Sequence, residues 1–319
     1  MSTRLSRSIS VSLLLASVVL AGSAAATAQP TRVSGAAMTS LSEASLPSEQ
    51  SALFRYRRGP IAVDELSAEH RDGAVIRDIT YTGQGGTPVR AYLVEPETAG
   101  PHPAILYLHW FEPPNPLSSR LEFLEEAVGM AGQGVVSLLP DLTFPWQGDP
   151  IGDRTDVDRV VEQTIQVRRG LDLLAGRHDV DRRHVAVVGH DYGGMYGLIV
   201  SALDRTRVQF TVAINVDATF SNWFARFWLG LSGEDTIRYE QLLRPIDTIN
   251  YVCCGAHRGL LYQFSEPDFF IPDSTRRTLI SATSGPTTYK LYPGTEHELD
   301  DETARHDRIS WLLDHLDAG

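Results

Sequence analysis

An α/β chain with a mostly parallel, twisted sheet and helices on both faces is the fold class this sequence predicts. Three observations carry that expectation. From about residue 74 onward, short apolar runs alternate with stretches of helical spacing. The runs at 104–109, 135–139, 185–188 and 210–216 are continuously apolar, as strands buried on both faces are. A glycine-rich turn, Gly189-His190-Asp191-Tyr192-Gly193-Gly194, joins the third of these runs directly to a helix-compatible stretch.

The 319 residues, 42% hydrophobic, suit one large domain or two small ones. Twenty-eight Lys and Arg against 40 Asp and Glu leave a net charge of -12, so the chain has no general attraction for phosphate backbones, and no nucleic-acid partner is expected. Two cysteines are too few for a disulfide scaffold. In an oxidising compartment Cys253 and Cys254 read as two small apolar fillers beside a strand.

The elements follow in order. Arg4 and Arg7 precede the uncharged run 11–22, and Ala26-Thr27-Ala28 forms a small-x-small site. Residues 1–28 therefore read as a cleaved export signal, and the expected location is secreted or periplasmic. The mature chain has no later segment suited to span a membrane. Residues 29–73 read as a flexible lead-in, rich at first in Ala, Ser, Thr and Gly. The alternating stretches 75–83 and 87–96, joined by Gly85-Gly86, predict a hairpin-like start to the domain over 74–319. Residues 104–109 form the next strand. Leu121, Leu124, Val128 and Ala131 mark a helix that Gly132 and Gly134 close. A strand over 135–139, a helix through Val160, Thr164, Val167, Leu171 and Leu174, and a strand over 185–188 lead to the glycine-rich turn. Strands at 210–216, 260–264 and 288–292 follow, then a helix through Ala304, Ile309, Leu312, Leu313 and Leu316.

The turn has the shape G-x-X-x-G between strand and helix, where glycines permit a sharp bend that lifts the central side chain, here Asp191, above the sheet. These residues and their order resemble the α/β-hydrolase superfamily over roughly residues 74–319. Gly-His-Asp-Tyr-Gly-Gly is similar to the nucleophile elbow of epoxide hydrolases and haloalkane dehalogenases. The flanks, with Leu261 to Pro272 (LYQFSEPDFFIP), resemble the dienelactone-hydrolase-like branch. The resemblance implies the chain order nucleophile, acid, histidine, met here by Asp191, Asp268 and His297. It also implies an oxyanion hole made by the amide of Tyr192 and a second amide near Trp110 or Phe111. The family's usual His-Gly at that loop is replaced by His109-Trp110.

Some assignments stay open in the sequence. Asp217, Glu266 and Glu296 compete with Asp268, and His306 and His315 with His297. His109 and His190 read as hydrogen-bonding neighbours. The stretch 218–251 allows a small cap at most. Its Trp223, Trp228 and Tyr239 are candidates for the wall of a substrate pocket, with Tyr192 and Tyr239 as candidate proton donors. No histidine pair stands at metal-ligand spacing, so no metal and no cofactor are expected. The expected partner is a small-molecule substrate; the oligomeric state is not encoded in any pattern found.

An ionised Asp at the elbow would attack a saturated carbon bearing a leaving group, giving an alkyl ester that His297 helps water to hydrolyse. The sequence reading is therefore a hydrolase opening an epoxide or a carbon–halogen bond. The alternatives are an esterase or lactonase of the dienelactone-hydrolase-like type, and a binding protein without catalysis.

Overall fold

The computed structural model describes residues 46–255 and 258–316. The expected export signal and the first part of the lead-in lie outside the described residues. The elements begin with helix α1 (Ser48–Leu53) and strands β1 (Val63–Arg71), β2 (Ala74–Thr82), β3 (Pro88–Pro96) and β4 (His102–Leu108). Helix α2 (Leu124–Ala131), β5 (Val136–Pro140), α3 (Arg154–Gly176), β6 (Val180–His190), α4 (Tyr192–Leu203) and β7 (Phe210–Ile214) follow. After two cap helices, α5 (Phe220–Trp223) and α6 (Glu234–Leu243), come β8 (Gly259–Glu266), α7 (Asp273–Ala282), β9 (Thr287–Pro293) and α8 (Glu302–Leu316).

Nine strands form one sheet in the order β1-β2-β3-β5-β4-β6-β7-β8-β9. The first three strands meander antiparallel, and β3 pairs antiparallel with β5. Every pair from β5 across to β9 is parallel. The apolar runs at β4 and β6 serve both faces of the sheet by the two-residue period of a strand. Ala104, Leu106, Leu108, Val185 and Val187 pack with α3 and α4. Ile105, Tyr107, Ala186 and Val188 pack with α2 and α8.

The sheet begins earlier than position 74. β1, in the expected lead-in, pairs with β2 from Val63↔Tyr81 to Arg71↔Ala74. Its side chains are almost all exposed, which is why no buried pattern marked it. Helix α7 was also not anticipated: only Arg276 and Leu279 of its residues are buried. Cys253 and Cys254 are joined in a disulfide rather than being separate apolar fillers. Among the described residues no helix is long and apolar enough to cross a membrane.

Candidate functional site

Parallel strands end at one edge of the sheet, so the loops that follow β4, β6, β7, β8 and β9 gather there. The tightest of these joins is between β6 and α4. Asp191 has φ 56 and ψ -127, a conformation that costs a non-glycine residue about 1–3 kcal/mol. Its neighbours make the bend fit. A Cβ on Gly189 would lie 2.6 Å from the carbonyl oxygen of Gly193, and a Cβ on Gly193 would lie 2.4 Å from that of Leu108. The bend places Asp191, 4% exposed, at the floor of a cavity of about 300 Å³.

His297 comes from the loop after β9, and Asp268 from the loop after β8. His297 Nδ1 donates to Asp268 Oδ2 at 2.8 Å, and His297 Nε2 faces Asp191 Oδ1 at 3.9 Å. The first is a charge-assisted hydrogen bond; the second is beyond hydrogen-bond reach and acts through charge. Burial alone would lower the imidazole pKa, but Asp191 and Asp268 outweigh it and push it up to about 10. His297 is therefore a cation between two carboxylates at neutral pH. Asp268 has an acid range below the usual one. Its burial opposes that shift, and the His297 bond and the amides of Phe270 and Ile271 overcome it.

The competing acids stand elsewhere. Asp217 is fully buried and accepts from the amide of Thr219 and from Asn222 Nδ2. Desolvation pushes it up to about 6. The side chains of Glu266 and Glu296 make no hydrogen bond to His297 among the described contacts, while His306 and His315 lie on α8.

The loop after β4 separates its two amides. Phe111 N–H donates to Asp191 Oδ2 at 2.8 Å. Trp110 N–H instead donates to Glu122 Oε2 at 2.6 Å, so Trp110 does not offer its amide to the elbow. Tyr192 opens α4, and its amide belongs to a first turn without intrahelical acceptors. His109 is a neighbour that fixes this loop. The amide of Leu142 donates to its Nε2 at 2.9 Å, which leaves Nδ1 to donate to the carbonyl of Trp110 at 3.1 Å. Burial lowers its pKa to about 4.

Trp223 and Trp228 line the cavity, as do Phe111, Tyr192 and Phe270. Tyr239 does not. It is buried against α3, where its hydroxyl donates to Asp156 Oδ2 at 2.5 Å. That removes it as a wall residue and as a proton donor to the site. The Tyr192 hydroxyl accepts from Trp228 Nε1 at 3.0 Å.

Glu122 and Asn215, which the sequence reading missed, hold the histidine loop together with His190, which it gave as a hydrogen-bonding neighbour. The backbone carbonyl of His297 accepts from Asn215 Nδ2 at 2.6 Å and meets His190 Nε2 at 3.0 Å. His190 Nδ1 is 2.7 Å from Glu122 Oε1. Asn215 Oδ1 accepts the amide of Ser265, whose hydroxyl donates to Asp268 Oδ2 at 3.0 Å. Asn215 had a faint signal in the sequence, a lone amide near the end of the apolar run 210–216. Glu122 had none, because its partners lie 12 and 68 residues away. Among the described residues no group of His, Cys, Asp and Glu is arranged to hold a metal ion.

No family model matches the chain, and no curated protein matches it by sequence. Solved structures do match. An acetyl xylan esterase from Paenibacillus sp. R4 superposes with a TM-score of 0.65 at 18% identity, covering 84% of this chain and 92% of that one. Acetyl xylan esterase 1 from Thermoanaerobacterium sp. JW/SL YS485 gives 0.66 at 17%, covering 85% and 94%. An S-formylglutathione hydrolase from Agrobacterium tumefaciens gives 0.61 at 18%, covering 79% and 99%. With the strand order above, these likenesses establish the α/β-hydrolase fold.

Proposed function

We propose that the protein is an exported hydrolase of a small carboxylic ester or lactone, with Asp191, His297 and Asp268 as its working residues. The observation that carries this reading is the line Asp268–His297–Asp191 on the floor of an aromatic cavity, beside the amides of Phe111 and Tyr192. The fold neighbours named as esterases support the ester over the epoxide as the bond cleaved. Attack of Asp191 itself on an acyl carbon would form a mixed anhydride, a high-energy intermediate. The lower route has Asp191 accept a proton from water as the water oxygen bonds to the acyl carbon. The carbonyl electrons collect on an oxygen stabilised by the Tyr192 amide, while the Phe111 amide holds Asp191 through Oδ2. Their return breaks the acyl–oxygen bond, and the His297 cation gives its proton to the leaving oxygen. The proton on Asp191 then resets His297, so the cycle consumes one water.

One observation favours a second reading. The Phe111 amide is bonded to Asp191 Oδ2, which leaves Oδ1 as the open oxygen. That polarity suits attack of Oδ1 on the carbon of an epoxide or alkyl halide. The resulting ester would then be cleaved by water at Cγ, with the oxyanion forming on Oδ2 against Phe111.

Turnover in H₂¹⁸O followed by peptide mass spectrometry separates the two. The panel is p-nitrophenyl acetate, γ-butyrolactone, styrene oxide and 1-bromobutane. The ester reading expects turnover of the first two with no ¹⁸O in the Asp191 peptide, and a loss of about 10²- to 10⁴-fold in His297→Gln. Label in Asp191 together with epoxide or halide turnover would replace it by the second reading. A wild-type protein that leaves every member intact sinks both.

A further inference from the structure

The cavity over Asp191 is unusual in what it lacks. Its lining contains no Leu, Ile, Val or Met; apart from Glu112, Asp191 and His297 every wall is an aromatic ring. Ligand pockets ordinarily mix aliphatic with aromatic walls. Ring faces differ from aliphatic walls in one physical respect: they carry a negative quadrupole face that attracts cations.

The charges point the same way. Glu112 stands exposed at the cavity mouth, and among the described residues its carboxylate has neither a hydrogen bond nor an ion pair. Partial desolvation, Glu298 and Asp191 all raise its pKa, against His297. The sole cationic side chain in the lining is His297, already held between Asp191 and Asp268. Outside the lining, the Arg226 guanidinium sits 4.8 Å from the ring centroid of its chain neighbour Phe227 and 6.0 Å from that of Phe269. The net charge of -12 adds a long-range pull of the same sign.

We propose that the substrate carries a permanent organic cation, a quaternary ammonium of about the size of choline, seated among Trp223, Phe227 and Trp228 with Glu112 as its counter-charge. This rests on the ester reading for the reaction but not for the recognition. A neutral branched alkyl group of the same shape would fill the same space without using either the ring faces or Glu112.

Titration of tryptophan fluorescence at fixed ionic strength with choline and with its neutral isostere 3,3-dimethylbutan-1-ol tests the recognition without catalysis. Choline is expected to bind about tenfold more tightly than the alcohol. Glu112→Gln and Phe227→Leu, both at exposed positions, are each expected to weaken choline about fivefold and leave the alcohol unchanged. Equal or tighter binding of the alcohol, or no saturable response to choline, overturns the proposal. The matching esters separate the two claims. A choline preference in a protein that leaves acetylcholine, p-nitrophenyl acetate and γ-butyrolactone all intact sinks the ester reading and leaves the cation site standing. Hydrolysis of 3,3-dimethylbutyl acetate as fast as acetylcholine, with no binding preference, does the reverse.

Discussion

Asp268 has the least ambiguous geometry of the three proposed site residues, because its side chain is fully buried and its bond to His297 Nδ1 is 2.8 Å long. That single contact orients the imidazole and supplies half of the charge that keeps it protonated. Asp268→Asn removes the charge and keeps the shape. It is expected to lower turnover about a hundredfold or more and to bring the His297 titration down from about 10 toward the ordinary imidazole range. The NMR titration of the His297 ring is the deciding measurement. A residue that only braced the loop would change the melting temperature and leave that titration in place. Here the sequence was informative: the resemblance to the α/β-hydrolase superfamily implies the order Asp191, Asp268, His297, each after a predicted strand. It gave His190 as a hydrogen-bonding neighbour but was silent about Glu122 and Asn215 as a brace, since a hydrogen bond to a backbone group leaves no pattern in side-chain type.

At the scale of elements, the strand–turn–helix from β6 to α4 does the most to build the site. Its backbone runs so close to β4 that Gly193 admits no side chain, and the turn folds so tightly on itself that Gly189 admits none either. A methyl on Gly193 would meet the backbone oxygens of Leu108 and His109 at 2.4 and 2.5 Å. Backbone cannot swing aside as a side chain can. Gly193→Ala is therefore expected to cost about 3 kcal/mol or more and to displace the Phe111 amide from Asp191, so activity falls further than stability. Urea unfolding and activity measured on the same preparation check this. Wild-type stability in that variant would mean that the loop after β4 stands off farther than described. The elements buried on two faces were legible in the sequence to within a few residues. β1 and α7 were not, because strands and helices that bury little carry no amphipathic signature.

For the whole molecule, three buried groups lose stabilisation as pH rises, and buried His109 gains it. Burial holds Asp217 and Asp247 up at about 6 and about 7, from 3.8. His297 is held up at about 10, from 6.5. Each binds its proton more tightly folded than unfolded, so its stabilisation is complete below the unfolded value and is lost as pH rises through the folded one. Stability should change in two stages: from about pH 4 to 7 the loss through the aspartates is offset by a gain through His109, which burial holds down at about 4, and from about 6.5 to 10 it declines through His297. The second stage has a slope of up to about 1.4 kcal/mol per pH unit. His297→Gln is expected to abolish the second stage and spare the first. Urea midpoints at pH 5, 7 and 9.5 measure both. A wild-type midpoint that does not fall between pH 7 and 9.5 would contradict the charge state assigned to His297.

Sequence by itself determined the sheet class and the strand–turn–helix of the elbow, and through the resemblance it put forward the order of the proposed site residues. Those features are written in local terms: apolar runs, glycine spacing, and which residue follows which strand. Tertiary structure decided the rest. It turned Tyr239 into a partner of Asp156, gave the Trp110 amide to Glu122 and the Phe111 amide to Asp191, and joined Cys253 to Cys254. It also made six separated aromatic residues the walls of one cavity. The physical reason is the same in each case. Whether a polar or aromatic group packs, bonds or faces a substrate depends on neighbours brought close by folding, and a hydrogen bond or a ring face has no range along the chain.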